Sequence, residues 1–395
     1  MQYKESHPWL TFGLRLKDLD ADTWRLLGEA ESKIEHIAGA PLPPQVAEHL
    51  YEIYLSKGAH ATTQIEGNTL SQEDVLLRVQ HQLKLPPSQE YLGQEIDNIV
   101  LGCNLVVRDV EEGNSLDLTP ARIARFNEIV LRDLPAAPEI EPGRIRTHSV
   151  LVGGIYRGAP AQDCAYLLDR LCTWLNAMTD DAPVELRPSV SILSAIVAHL
   201  YLAWIHPFGD GNGRMARLVE FQLMARAGIP VAAAHLLSDH YNRTRSRYYQ
   251  VLAESSRPPY PVPAFIKYAV EGFVDGLREQ ITVIRRAQFQ IVWINLIHER
   301  IGSGTRESPI AGRQRRLMMD LPLGKITPLV EIRDLSPQLA RMYGERTAKA
   351  VSRDVNKLVE LGLVSRTRQG VRPYVEQIES FLPARARQDT SQPAK

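Results

Sequence analysis

His206-Pro207-Phe208-Gly209-Asp210-Gly211-Asn212-Gly213-Arg214-Met215-Ala216-Arg217 concentrates more chemistry than any other part of this chain. Three glycines within five residues, Gly209, Gly211 and Gly213, allow positive φ and a close backbone approach to a ligand. The helical periodicity of residues 214–227 follows at once, so the first unpaired amides of that helix point at the loop. Those amides and the positive helix end form a nest for an anion such as phosphate. Arg214 and Arg217, three apart, add two forked cations. Cations at a helix N-terminus oppose the macrodipole, a local conflict expected where an anion is meant to sit. Asp210 makes sense in such a nest if a divalent cation bridges carboxylate and phosphate. His206 is the one group there that titrates near neutrality, which makes it the candidate general base. Phe208 reads as an apolar anchor that fixes the loop. Taken singly, a His–Pro after an apolar helix is core or cap, and a glycine-rich turn is only a turn. Seven chemically meaningful positions in twelve residues are hard to explain that way. No GxxxxGK[ST] loop occurs. A zinc site pairing His199 with His206 lacks a third ligand, so His199 reads as a packed helix residue.

Outward from this segment the chain reads as mainly α. Residues 44–56 place Val46, Leu50, Ile53 and Tyr54 on one face, and residues 96–107 do the same with Ile99, Leu101, Leu105 and Val106. Thr119–Pro120 is an N-cap followed by proline at the first helical position, opening a helix through residue 131. Residues 167–178 and 190–205 are further apolar-faced helices. Residues 149–156 break the pattern with β-branched side chains around Gly153–Gly154, a hairpin signal. Beyond residue 285, residues 326–335 and 336–342 read as short helices. Residues 345–361 read as a longer one, with Ala350, Val351, Val355, Leu358 and Val359 inside and Arg346, Lys349, Arg353 and Lys357 outside. Residues 363–375 then read as two strands around Gln369–Gly370. Helices followed by a basic hairpin suggest a winged helix-turn-helix, against which stands a merely solvated charged face or a protein contact. Residues 383–395 read as a frayed tail.

Composition bounds these readings. Of 395 residues 44% are hydrophobic and 23% charged, the proportions of a soluble globular protein and not of a disordered or fibrous chain. Residues 286–395 carry 19 Lys/Arg against 11 Asp/Glu, and residues 1–285 carry 27 against 35. The formal net charge of zero therefore conceals an acidic body and a basic tail with separate jobs. Cys103, Cys164 and Cys172 form no CxxC pair and no disulfide framework, which points to a reduced, cytoplasmic setting. Residues 1–10 lack the apolar region of a signal peptide. The longest apolar run, residues 192–205, is interrupted by Ser194 and His199 and falls short of the roughly 20 residues of a bilayer span, so no membrane is expected.

Residues 206–217 fit HPFx[DE]GNGRxxR at every specified position, and the chain resembles Fic-domain protein adenylyltransferases. Thr62-Thr-Gln-Ile-Glu66-Gly67 fits the [ST]xxxE[GN] inhibitory motif of the class with an N-terminal inhibitory helix. Residues 146–153 resemble that family's flap, and Tyr248–Tyr249 is similar to the tyrosine pair beside the adenine. The resemblance spans roughly residues 40 to 280. It implies a Fic-type helical bundle with a β-hairpin flap, followed by a small winged helix-turn-helix domain. The implied layout is an N-terminal helical region with the inhibitory helix over 1–110, a Fic core over 111–285, the winged-helix-like domain over 286–383 and a flexible tail over 384–395. It further implies ATP in the Gly211-Asn212-Gly213 nest, Mg²⁺ on Asp210, Arg214 on the α/β-phosphates and Arg217 on the γ-phosphate. His206 takes the proton of a target Tyr, Thr or Ser hydroxyl, which attacks the α-phosphorus as pyrophosphate leaves. The flap, at Val152 and Gly153, captures the target backbone by strand addition. Glu66 inhibits by competing with the γ-phosphate for Arg217. As a helix end followed by glycine, Glu66–Gly67 also reads as a plain C-cap.

Some relatives carry asparagine seven residues after the second tyrosine, where this chain has Ser256. Removal of AMP at the same site is the reverse direction that the resemblance leaves open. A different class of function is a DNA-binding regulator or toxin–antitoxin component with the Fic body as a nucleotide-sensing scaffold. Expected partners are an unidentified target protein docked on residues 149–156, the chain itself as a target, DNA on residues 286–383 and a second copy in a homodimer.

Overall fold

The computed structural model describes residues 1–379 apart from 136, 155, 303–307 and 345. The tail expected over 383–395 lies outside the described residues, as does residue 345, with which the expected 345–361 helix begins. The chain divides into two compact units, Met1–Ile284 and Arg285–Lys395.

Helices dominate the first unit: α1 (Ala21–Ala38), α2 (Pro44–Ile65), α3 (Gln72–Val79), α4 (Glu90–Glu111) and α5 (Pro120–Val130) precede a small hairpin, β1 (Leu151–Val152) and β2 (Tyr156–Arg157). After it come α6 (Cys164–Asp180), α7 (Arg187–Ile205), α8 (Asn212–Arg226), α9 (Leu236–Arg243), α10 (Arg245–Ser255) and the first part of α11 (Val262–Ile301). Local chemistry sets several of these limits. Pro120 occupies the first turn of α5 and the Thr119 side chain accepts from the Arg122 amide, while Ser71 and Asp74 form a reciprocal capping box on α3. α2 continues well past the expected residue 56. Its Gly58 makes room for the His235 ring, because a Cβ there would lie 2.1 Å from Nδ1. Packing thus outweighs the usual cost of roughly 1 kcal/mol for a mid-helix glycine. On α4, Ile96, Ile99, Cys103 and Val106 face the core, whereas Leu101, expected inside, is 38% exposed.

α7 is apolar on every side and runs through the middle of this unit, with α8 packed along it and α4 and α5 on α8. Together with its lead-in turn it spans Val184–Ile205, long and apolar enough for a membrane by length and composition, yet 89% of that window is buried. The run is therefore longer than residues 192–205 suggest and serves as a core helix. One core joins Leu27, Ile96, Phe126, Leu171, Trp204 and Phe273, so residues 1–110 and 111–284 are not separated by a boundary.

The second unit holds the end of α11, then α12 (Pro309–Asp320), α13 (Pro337–Gly344), α14 (Ala348–Glu360) and the hairpin β3 (Val364–Arg366) with β4 (Val371–Pro373). Its own core includes Trp293, Leu317, Tyr343, Val355 and Leu363. Residues 326–335 are not the helix expected from their pattern. Thr327 pairs with Val371 through two backbone hydrogen bonds of 2.8 and 2.9 Å in an isolated bridge, residues 329–331 turn, and only Ile332–Asp334 is helical, as a 3₁₀ turn. Val359, expected inside α14, is 37% exposed. Arg313 meets Asp354 through Nε and Nη2 at 2.6 and 3.1 Å in the interior of this unit, and the Tyr343 hydroxyl donates to the same carboxylate at 2.9 Å.

Candidate active site

The twelve-residue segment forms the turn from α7 into α8. His206 caps α7 in the left-handed region with φ 49°, and Gly211, with φ 73°, is the N-cap of α8. Between them the loop is clamped from several sides. Asn212 spends its whole amide on it, accepting from the Phe208 amide at 3.0 Å and donating to the Phe208 carbonyl at 2.9 Å. Phe208 is 1% exposed. Asn127 of α5 donates to the Asp210 carbonyl at 2.8 Å. Arg146 is buried, and its guanidinium reaches the carbonyls of His206 (2.7 Å), His148 (2.6 Å), Ile205 (3.4 Å) and Ala159. The base of the flap is tied in this way to the loop. Tyr156 of β2 adds a hydrogen bond to the Trp204 carbonyl at 2.9 Å.

The hairpin pairs Val152 with Tyr156 and Leu151 with Arg157, and Gly153 and Gly154 take φ of 57° and 71° at its tip. Gly158, just after it, lies so close to the loop that a Cβ would stand 3.0 Å from His206 Cβ. Burial, with the Arg146 cation beside it, pushes the His206 imidazole down to about 4, although the Ala203 carbonyl, Glu66 and Asp210 oppose this. At neutral pH the ring is uncharged and able to accept a proton.

Arg214 and Arg217 project from the first turns of α8 with side chains 7% and 1% exposed. Arg217 Nη2 donates to Glu66 Oε1 at 2.5 Å and to the Thr62 carbonyl at 2.9 Å. Arg214 Nη1 donates to Glu95 Oε1 at 2.9 Å, and its Nη2 stands 3.7 Å from Asp210 Oδ1. The Nε of each arginine is buried without a protein partner, so each keeps a donor that an anion can meet. Glu66 is the C-cap of α2, followed by Gly67 at φ 107°, so the capping role and the contact with Arg217 coexist. Burial alone would raise the Glu66 carboxyl, but the cations of Arg217 and Arg214 hold it below its ordinary value, and the pair stays ionised. The carboxylate lies over the start of α8, where a Cβ on Gly213 would come within 2.1 Å of Oε1.

The other expected contacts are more varied. The Asp210 side chain is 51% exposed, and its Oδ1 accepts from the Gly211 amide at 2.5 Å. Among the described residues no cluster of three or more His, Cys, Asp or Glu exists, so a cation here would rest on Asp210 together with ligand and water oxygens. Tyr248 is buried with its hydroxyl 2.9 Å from His199 Nε2, whereas Tyr249 is 45% exposed and donates to the Ile65 carbonyl at 3.3 Å. Ser256 merely bonds the Ala253 carbonyl behind α10. Glu95 and Asn127 were not legible as site residues, because each comes from a helix whose sequence only signals packing, and Glu220 lies in α8 beyond the motif. Glu220 lies one turn beyond Arg217 in α8, accepts from the Tyr241 hydroxyl at 2.9 Å and is pushed up to about 8 by burial.

Residues 117–224 match the Fic/DOC family. Over 239 residues the chain is 27% identical to protein adenylyltransferase fic-1 of Caenorhabditis briggsae, a match covering 59% of this chain and 42% of that protein. Over 242 residues it is 31% identical to protein adenylyltransferase Fic of Drosophila melanogaster, covering 60% and 42%. The chain therefore spans about two fifths of the length of these relatives (42%). A Fic family protein from Desulfovibrio desulfuricans G20 shares the fold with a TM-score of 0.56 and 19% identity, over 89% of this chain and 93% of that one. A Fic domain-containing signaling protein from Bacteroides thetaiotaomicron VPI-5482 matches at 0.53 and 19%, over 66% and 96%. Over residues 117–224 this mainly helical chain is thus similar to the Fic/DOC family, whose fold it shares.

Proposed function

We propose that this chain is a protein adenylyltransferase that moves AMP from ATP onto a Tyr, Thr or Ser hydroxyl of a target protein, and that Glu66 restrains it. One observation carries the proposal: a neutral imidazole and two buried arginines with unpartnered Nε atoms surround the same helix N-terminus. The triphosphate of ATP lies along the amides of Gly211, Asn212 and Gly213, with Arg214 on the α/β-phosphates and Arg217 on the γ-phosphate. Asp210 would hold Mg²⁺, which when bound neutralises phosphate charge and eases departure of pyrophosphate. His206 accepts the proton of the target hydroxyl. The oxygen forms a bond to the α-phosphorus, and the bond from that phosphorus to the bridging oxygen breaks. The protein works by positioning and charge, as phosphoryl chemistry requires. The flap presents Val152 and the open tip at Gly153 to the target backbone.

Because Glu66 already occupies Arg217, ATP in the resting protein finds that cation taken. ATP labelled on the α-phosphate should mark protein and ATP labelled on the γ-phosphate should not, with His206→Ala abolishing the mark. Label from the γ-position, or label that survives His206→Ala, would refute adenylyl transfer.

For the second unit we propose a winged helix-turn-helix that contacts DNA. Arg346, Lys349, Arg353 and Lys357 are all exposed and recur at helical spacing, and Arg366 and Arg368 stand exposed on the hairpin. The 395-residue chain should bind a labelled duplex with an affinity that falls steeply with salt. Unchanged affinity across the salt range would remove this reading.

A further inference from the structure

We infer that Glu95 is a positioning residue that aims Arg214 at the nucleotide, and that it does so without competing for the phosphate. This rests on the adenylyl-transfer reading above. A guanidinium grips an oxyanion through two parallel N–H groups on one edge. The bidentate pairs Arg78–Asp97, Arg278–Glu29 and Arg313–Asp354 in this chain all use the edge formed by Nε and Nη2.

The two arginines of α8 differ at that edge. On Arg217, Glu66 takes Nη2 at 2.5 Å, so the gripping edge is half filled by a carboxylate. On Arg214, Glu95 takes Nη1 at 2.9 Å, outside the edge. Nε of Arg214 has no partner, and its Nη2 lies 3.7 Å from the half-exposed Asp210. Glu66 therefore blocks, whereas Glu95 holds the guanidinium from behind and leaves its gripping edge facing the loop.

Glu95 is itself fixed. Its Oε2 accepts from Asn68 Nδ2 at 2.8 Å, and that amide also donates to the Leu92 carbonyl at 3.0 Å. Asn68 Oδ1 accepts from the Leu70 amide at 3.0 Å, so the 5%-exposed side chain has a single orientation. Asn68 stands two residues beyond Glu66, in the same turn that closes α2 through the Thr63 and Gln64 carbonyls. One short segment thus carries the carboxylate that blocks Arg217 and the amide that steadies the carboxylate behind Arg214.

The test compares variants in a Glu66→Gly background, where Arg217 is free, measuring kcat and KM for ATP in AMP transfer. Glu95→Ala should lower kcat/KM by roughly tenfold to a hundredfold, the scale of a misplaced catalytic contact. Glu95→Gln keeps an acceptor for Nη1 and should recover most of that loss, which also guards against a folding defect. In an Arg214→Ala background, Glu95→Ala should cost nothing further, because it acts only through Arg214. A change under about twofold in Glu95→Ala, a gain in rate, or an undiminished loss in the Arg214→Ala background would overturn the inference. If Glu66→Gly binds ATP by thermal shift but transfers no AMP, the transfer reading falls alone. The positioning role is then read from the shift, which should shrink in Glu95→Ala, and an equal shift would overturn it.

Discussion

Replacing Glu66 by glycine should destabilise the first unit and at the same time make it a better receptor for ATP. Arg217 is 1% exposed and has two acceptors, Glu66 and the Thr62 carbonyl. Removing one partner of a buried ion pair costs about 3–5 kcal/mol, because the remaining charge stays out of water. Glu66 is 34% exposed, so solvent screens part of this, and about 2–3 kcal/mol is the appropriate scale. For a unit of this size that corresponds to a fall in melting temperature of roughly 4–10 °C. The freed guanidinium then accepts the γ-phosphate, and a charge-assisted contact of about 1.5–3 kcal/mol raises ATP affinity roughly tenfold to 150-fold. Since ATP binds only the folded chain, saturating nucleotide should restore the lost melting temperature. Differential scanning fluorimetry over an ATP titration reads both effects. If Glu66→Gly melts where the unsubstituted protein does, and ATP shifts both equally, Arg217 is not shared between two anions and the reasoning fails.

Three further outcomes follow from the geometry. Glu220 is held near 8 by burial, so the folded chain keeps a proton that the unfolded chain sheds above its ordinary carboxyl range near 4.5. Stability should fall across that window by up to about 1.4 kcal/mol per pH unit, and Glu220→Gln, which cannot titrate, should gain on the unsubstituted protein between about pH 5 and 8 in urea melts. A constant difference would mean that Glu220 is ionised when buried. Asn212→Ala removes both bonds that brace Phe208, and should cost about 1–3 kcal/mol and weaken ATP binding; unaltered ATP binding would show that the loop holds its shape without that brace. Asp354→Ala strands Arg313 in the interior of the second unit and should unfold that unit first, about 3–5 kcal/mol early, visible as a separate transition in calorimetry. A single unshifted transition would contradict it.

The chemistry of residues 206–217 was legible because it is contiguous: the glycines, the helix start and both arginines fall within nine residues of sequence, 209–217. The helices of the first unit were legible from their apolar spacing, and the cap at Thr119 from residue type alone. What escaped was contributed by distant segments. Glu95 and Asn68 are 27 residues apart and meet only after α2 and α4 have packed, and nothing in the amphipathic pattern of α4 distinguishes Glu95 from a solvated glutamate. Arg146 could be seen as the start of the flap but not as the buried cation that ties flap to loop through carbonyls. The apolar spacing predicts a helix only to residue 56, whereas α2 runs on through Gly58, whose partner, the His235 ring, is supplied from far along the chain. Residues 326–335 have helical spacing, but Thr327 is drawn into a bridge with Val371, which no helix over this stretch would allow.

The most direct test of restraint at Arg217 is the rate at which α-labelled ATP marks protein in three preparations: unsubstituted, Glu66→Gly and Glu66→Gly with His206→Ala. Competition between Glu66 and the γ-phosphate predicts that Glu66→Gly incorporates label at least about ten times faster than the unsubstituted protein, and that the added His206→Ala abolishes it. Equal rates with and without Glu66, in protein that is folded and binds ATP, would contradict it.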